Sequence, residues 1–354
     1  MYIRAFLLLI FLFPFASNLV AGYFPNKENW IISTPDAEGI NPNKIDKLMD
    51  LSFSDDATQA VVVIKNGKII SEKYADGYDQ DSHGTSWSMA KSYYAALIGI
   101  SLDRGEINSL DDKVSEYLEY FDDERSDITI RDLLDMSSGL DFPTHEHEKM
   151  FFQVDHLQYA KKVGVEKNAG EKFEYNNVNS MLLGDILFQA TGKKADLLFE
   201  ERILKPLDID SYKLWKDEKG NVMTYCCVDM SARDYSKLGL LFARDGKWND
   251  EQIISKEFVD ESFQEATGCS IDKSVAYIQS VQEQFGIDLL DRMNLAYKTG
   301  DKIISIKMAD FQRKAQSGEF QSDMIVFNNL VTSKGEFLEK WETSAENSWH
   351  SNLF

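Results

Sequence analysis

The chain has 354 residues, 43% of them hydrophobic, and a formal net charge of −21. So large an acidic excess repels nucleic acid and anionic membranes, which excludes a nucleic-acid-binding protein and a polybasic membrane binder. The length predicts one large domain or two intimately packed subdomains, and three cysteines, at 226, 227 and 269, are too few for a disulfide scaffold.

Residues 1–22 read as a secretory signal. Arg4 supplies a short positive segment, residues 5–13 an apolar core, Pro14 a break, and Val20-Ala21-Gly22 a small-residue cleavage site. The apolar run is too short to span a bilayer comfortably. A periplasmic or secreted mature chain from residue 23 is therefore expected, with a retained N-terminal anchor as the alternative. No other segment of the sequence is apolar enough to cross a membrane.

Two β-rich runs, 60–64 and 69–74, flank Asn66-Gly67, a pair that tolerates the positive φ of a tight turn; together they predict a hairpin. Helical periodicity follows, over 88–104, 130–136, 177–191, 195–204, 231–244 and 255–263, punctuated by Gly105, Gly139, Gly192, Gly220 and Gly246. The first helix opens on Ser88-Met89-Ala90-Lys91. Residues i and i+3 share a helix face, so this spacing sets a hydroxyl beside an amine that can take its proton. Spacing alone is weak, because the chain carries 29 lysines and repeats the pattern at Ser270-Ile271-Asp272-Lys273. Context separates the copies. Ser88 opens a long apolar segment that ends at Arg104-Gly105, a basic last turn and a glycine stop, whereas Ser270 lies in a short polar stretch. The competing reading of Ser88 is a helix N-cap.

A serine is a poor nucleophile until its proton is taken, and a Lys-Tyr couple can take it where no histidine is at hand. Tyr175-Asn176-Asn177 is the sole Tyr-x-Asn of the sequence and precedes the apolar helix at 177–191. Close to Lys91, the ionised phenol of Tyr175 would be favoured, making it the base or part of a proton network with Lys91. The competing reading is a buried aromatic beside a turn-forming Asn pair. Lys298-Thr299-Gly300 stands before a strand-like run and would let a substrate carboxylate or carbonyl lie along a strand edge; an ordinary turn is the alternative.

Adjacent Cys226 and Cys227 are unlikely partners for each other, which leaves at most one bridge, to Cys269, or buried thiols. Neither has a histidine nearby in sequence, which disfavours a catalytic cysteine. His145-Glu146-His147 with His156 is a weak metal set: histidines at i and i+2 share a metal only on extended backbone, and this stretch reads as a solvated loop. No metal and no cofactor is expected. There is no Gly-x-Ser-x-Gly, so an α/β-hydrolase triad has no candidate.

Strand-like runs return at 302–308 and 324–330, followed by an amphipathic helix candidate at 334–345. Early strands, a helical middle and late strands predict an α+β fold whose antiparallel sheet draws on both chain ends. Residues 23–87 and about 290–354 would form the α/β part, and about 88–289 a mostly helical lobe.

Ser88-x-x-Lys91, Tyr175-x-Asn177 and Lys298-Thr299-Gly300 resemble the three motifs of the penicillin-recognising serine hydrolases. Flanking residues strengthen the match, among them Ser86-Trp87-Ser88-Met89-Ala90-Lys91-Ser92, Ile130-Arg131-Asp132-Leu133-Leu134 with Ser137-Ser138-Gly139-Leu140, and Lys205-Pro206-Leu207. The wording over roughly residues 35–265 is most similar to the β-lactamase-related branch, which includes esterases, 6-aminohexanoate-oligomer hydrolases and relatives of the class C lactamases. The resemblance implies a β-lactamase/DD-peptidase-like fold and a small-molecule amide or ester substrate. It also implies that Ser88 is acylated, that Lys91 and Tyr175 move its proton, and that Asn177, Lys298, Thr299 and Gly300 bind substrate. From residue 266 onward only Lys298-Thr299-Gly300 fits the pattern, and Asp301 would put a carboxylate near the oxyanion site. The alternative expectation is accordingly a catalytically inactive binding protein that keeps the fold with a diverged C-terminus.

Overall fold

Turn chemistry makes the first sheet. In the computed structural model, which describes residues 23–25, 30–54, 57–142 and 147–263, β1 (Ala60–Lys65) and β2 (Lys68–Tyr74) pair antiparallel. Asn66 and Gly67 join them at φ 55° and 80°, the two positive values a tight primed turn requires. The hairpin matches its predicted limits to within a residue. Before it comes α1 (Pro42–Ser52), absent from the sequence reading, with Pro at its first position and Asn41 accepting from the Asn43 amide as N-cap. It buries only Ile45 and Met49, too few apolar positions to make a periodic signal.

After a short strand, β3 (His83–Thr85), the chain turns through a 3₁₀ segment at Trp87–Met89 into α2 (Ala90–Asp103). Tyr93, Tyr94, Ala96, Leu97, Ile98, Gly99, Ile100 and Ser101 of α2 are all buried, so the helix is enclosed on nearly every side. Four helices follow: α3 (Ile130–Leu134), α4 (His147–Phe151), α5 (His156–Ala160) and α6 (Asn177–Thr191). The last has its predicted limits. Asn176 caps it, accepting from the Val178 and Asn179 amides, and Gly192 ends it at φ 71°. The predicted 195–204 helix is α7 (Ala195–Phe199) running into one π turn at Glu200–Leu204. Phe199 of α7 receives Tyr93 edge-on and Tyr94 stacked, with ring centroids 5.5 and 5.4 Å away.

The middle of the chain is less purely helical than predicted. Strands β4 (Lys213–Leu214) and β5 (Val228–Ser231) form with β3 an antiparallel sheet in the order β3-β5-β4. All four residues of β5 are buried, including the polar Asp229 and Ser231 that alternate with Val228 and Met230. Asp229 is tolerated there because Thr85 Oγ1 and Trp215 Nε1 donate to its carboxylate. α8 (Ala232–Phe242) starts at once, capped by Ser231, and a small hairpin of β6 (Lys247–Trp248) and β7 (Glu251–Gln252) leads to α9 (Lys256–Ser262). α9 lies hard against α2: a Cβ on Gly99 would stand 2.5 Å from the Phe258 ring.

The signal segment 1–22, His145 and Glu146, the Ser270–Lys273 repeat, Cys269, the strands predicted at 302–308 and 324–330, the 334–345 helix, and Lys298-Thr299-Gly300 lie outside the described residues. Helices packed with small antiparallel sheets make the described residues α+β, as expected.

Candidate active site

β5 fixes the segment that carries the serine. The Ser86 amide donates to the Val228 carbonyl at 2.8 Å, the Val228 amide returns a bond to Ser86 Oγ at 2.9 Å, and the Cys227 amide donates to the Trp87 carbonyl at 3.2 Å. Between these anchors Trp87 is held at φ 45°, left-handed backbone that costs a non-glycine residue on the order of 1–3 kcal/mol. The turn leaves Ser88 exposed at the head of α2, where backbone N–H groups point away from the helix and the helix dipole is positive.

One turn on, the amine of Lys91 lies 3.2 Å from Ser88 Oγ. It also donates to Asn177 Oδ1 at 2.7 Å and to the Tyr225 carbonyl at 2.6 Å. Aromatic rings flank it: its Nζ is 4.8 Å from the Tyr175 ring centroid and 5.8 Å from that of Tyr225. This enclosure strips water from the amine, and burial alone pushes Lys91 well below the usual lysine range. A neutral amine has two N–H donors and one lone pair. In that form Asn177 Oδ1 and the Tyr225 carbonyl would take the two donors and leave the lone pair toward Ser88 Oγ. Such an arrangement can act as a base beside a nucleophile.

Four of the sequence-predicted residues, Ser88, Lys91, Tyr175 and Asn177, therefore come together, although Asn177 lies 86 positions from Lys91. Tyr175 meets the amine with its ring face. Tyr225 was missed: it gives Lys91 a backbone carbonyl, which every residue has, and a ring that only the fold brings to the amine.

One expectation changes. Cys226 and Cys227, read as unlikely partners, are joined as a vicinal disulfide, with Cys227 in left-handed backbone at φ 70°. Adjacent cysteines meet only where the backbone between them turns, and the left-handed conformation of Cys227 at that turn is not encoded in sequence spacing. His156, considered as a metal ligand, is buried with its Nδ1 2.9 Å from the Tyr225 hydroxyl. Among the described residues no cluster of three or more His, Cys, Asp or Glu side chains is arranged to hold a metal ion, and no helix is long and apolar enough to cross a membrane.

Similarity to known proteins follows the same residues. Over 224 residues the chain is 28% identical to an N-acetylmuramyl-L-alanine amidase of Bacillus subtilis (strain 168), covering 54% of this chain and 49% of that one. Over 235 residues it is 21% identical to a 6-aminohexanoate-dimer hydrolase of Paenarthrobacter ureafaciens, covering 60% and 59%. The chain thus spans roughly half the length of the curated relatives it matches. Its fold superimposes on the octameric penicillin-binding protein homologue from Pyrococcus abyssi with a TM-score of 0.53 at 19% identity, covering 64% of this chain and 61% of that one. A sequence profile of the Beta-lactamase family matches residues 54–245, more than half of the chain and the span that holds Ser88, Lys91, Tyr175 and Asn177. With the motifs, the fold and the profile in agreement, the chain belongs to the β-lactamase family.

Proposed function

We propose that the protein is an exported serine hydrolase that cleaves an amide or ester through an acyl-enzyme on Ser88. The observation that carries the reading is the environment of Lys91: a desolvated amine 3.2 Å from Ser88 Oγ that also donates to Asn177 Oδ1 and the Tyr225 carbonyl. The Ser88 proton passes to this amine as Oγ bonds to the substrate carbonyl carbon, forming a tetrahedral intermediate. N–H groups at the head of α2, that of Ser88 first, stabilise the oxyanion. The ammonium of Lys91, with Tyr175 in the same proton network, returns the proton to the leaving nitrogen or oxygen, and the C–N or C–O bond breaks to leave the acyl-enzyme. A water then gives a proton to the restored amine, attacks the ester carbon and releases the acid, and Ser88 regains its proton.

Relatives named an amidase and a 6-aminohexanoate-dimer hydrolase support an amide as the bond cleaved. Asn177 and the Lys298-Thr299-Gly300 segment are assigned to substrate binding. The N-terminal signal pattern supports periplasmic or secreted localisation. A fluorophosphonate probe tests the reading: it should label the wild type at Ser88 and leave Ser88→Ala unlabelled. Labelling that persists in Ser88→Ala removes this nucleophile, and a wild type that neither labels nor turns over short-chain esters or aminohexanoate-type amides favours the inactive binding protein instead.

A further inference from the structure

Tyr225 touches the Lys91 amine from two directions, with its carbonyl at 2.6 Å and its ring centroid at 5.8 Å. Whatever fixes Tyr225 therefore sets both a hydrogen bond to the amine and part of the wall that keeps water from it. Its side chain is fully buried, and its hydroxyl lies 2.9 Å from His156 Nδ1. Phe151 packs on both rings, with centroids 6.1 Å from His156 and 6.3 Å from Tyr225. His156 is anchored in turn. Its amide donates to Asp217 Oδ2 at 2.9 Å, and the Asp217 carboxylate also accepts from the amides of Lys219 and Asn221 and from Asn221 Nδ2. Asp155, the preceding residue, caps α5 by accepting from the Gln158 amide. None of these residues belongs to the three sequence motifs.

We propose that His156 is a positioning residue for the Lys91 base, acting through the side chain of Tyr225. The inference rests on the reading of Lys91 as the base of Ser88. The path is contiguous: Asp217 holds the start of α5, α5 presents His156, His156 holds the Tyr225 phenol, and Tyr225 holds and screens the amine. Burial keeps His156 below the usual histidine range against the opposing pull of Asp217 and Asp155, so the imidazole is neutral and bonds the phenol without adding a charge near Lys91. The groups facing His156 are Tyr225, Asp217 and Asp155; those facing the amine are Ser88, Asn177, Tyr175 and Tyr225. Releasing the phenol lets the Tyr225 ring move and water reach the amine, which then holds its proton to higher pH.

The test is the pH dependence of fluorophosphonate labelling at Ser88 in the full chain. In the wild type the rate should rise with pH along a limb set by Lys91. In His156→Leu and in the milder Tyr225→Phe the limb should move up by about one pH unit, lowering the rate about tenfold at pH values below the wild-type limb. At pH above the moved limb the rate should return to the wild-type plateau. His156→Asn, which offers an amide oxygen or nitrogen near the place of Nδ1, should bring the limb back. The inference is overturned by an unmoved limb in a folded His156→Leu and Tyr225→Phe, or by a loss of rate that is uniform across pH, the mark of a merely structural role. A limb that survives Lys91→Ala, or labelling that survives Ser88→Ala, strikes instead at the base reading and takes this inference with it.

Discussion

At the scale of residues, the chemistry turns on one amine and the number of its donors. Were Lys91 an ammonium, its three donors would be matched by Ser88 Oγ, Asn177 Oδ1 and the Tyr225 carbonyl, and it would have nothing to accept with. Desolvation tips it toward the neutral form, and the same geometry then becomes that of a base. Lys91→Ala should slow labelling of Ser88 by about 10²- to 10⁴-fold, the usual contribution of a general base, and should remove the Lys91 limb from the pH profile. Asn177→Ala should cost less, about 10²-fold, because it frees the amine to rotate and leaves its basicity in place. Rate constants for probe labelling across pH distinguish the two. Ser88, Lys91, Tyr175 and Asn177 were legible in the sequence because each contributes a distinctive side chain at a motif spacing. The Tyr225 carbonyl was not, since every residue has one.

At the scale of elements, legibility followed length and capping. The predicted helix at 177–191 has its predicted bounds because Asn176 and Gly192 mark both ends and its middle, Met181 to Phe188, is mostly apolar. α4 and α5, each little more than one turn, are too short to show a period, and the four residues of β5 run straight into α8, so their Val-Asp-Met-Ser alternation is too brief to stand apart from the helix. The hairpin is tied down by a residue outside any strand. Glu38 accepts from Lys68 Nζ at 2.6 Å, from Asn66 Nδ2 at 2.9 Å and from Ser33 Oγ at 2.8 Å, bonds that lower its carboxyl to about 2. A carboxylate with a lowered folded-state value adds stability above its unfolded value near 4.5, and that contribution is lost as pH falls toward about 2. Glu38→Gln should therefore lower the urea midpoint at neutral pH, and the difference from wild type should shrink through this window and vanish at its acid end. A difference that stays constant with pH would show that the charge of Glu38 is not what holds the turn.

At the scale of the whole molecule, 59 acidic residues against 38 basic ones leave a surface that repels itself. Individual surface ion pairs such as Lys256–Asp260 weaken with salt, but each exposed pair is worth little. Raising sodium chloride from about 10 mM to about 150 mM shortens the screening length from about 30 Å to about 8 Å, so the melting temperature should rise by a few degrees. A fall on adding salt would mean that the ion pairs outweigh the repulsion. By itself the sequence marked the family, the Ser88-x-x-Lys91 pair and most of the long helices, because these are recorded in periodicities and spacings of a few residues. Only the tertiary structure decided that the amine is dry and correctly bonded. Its partners stand 86 and 134 positions away along the chain, and no local pattern states which distant carbonyl or ring the fold will bring against it.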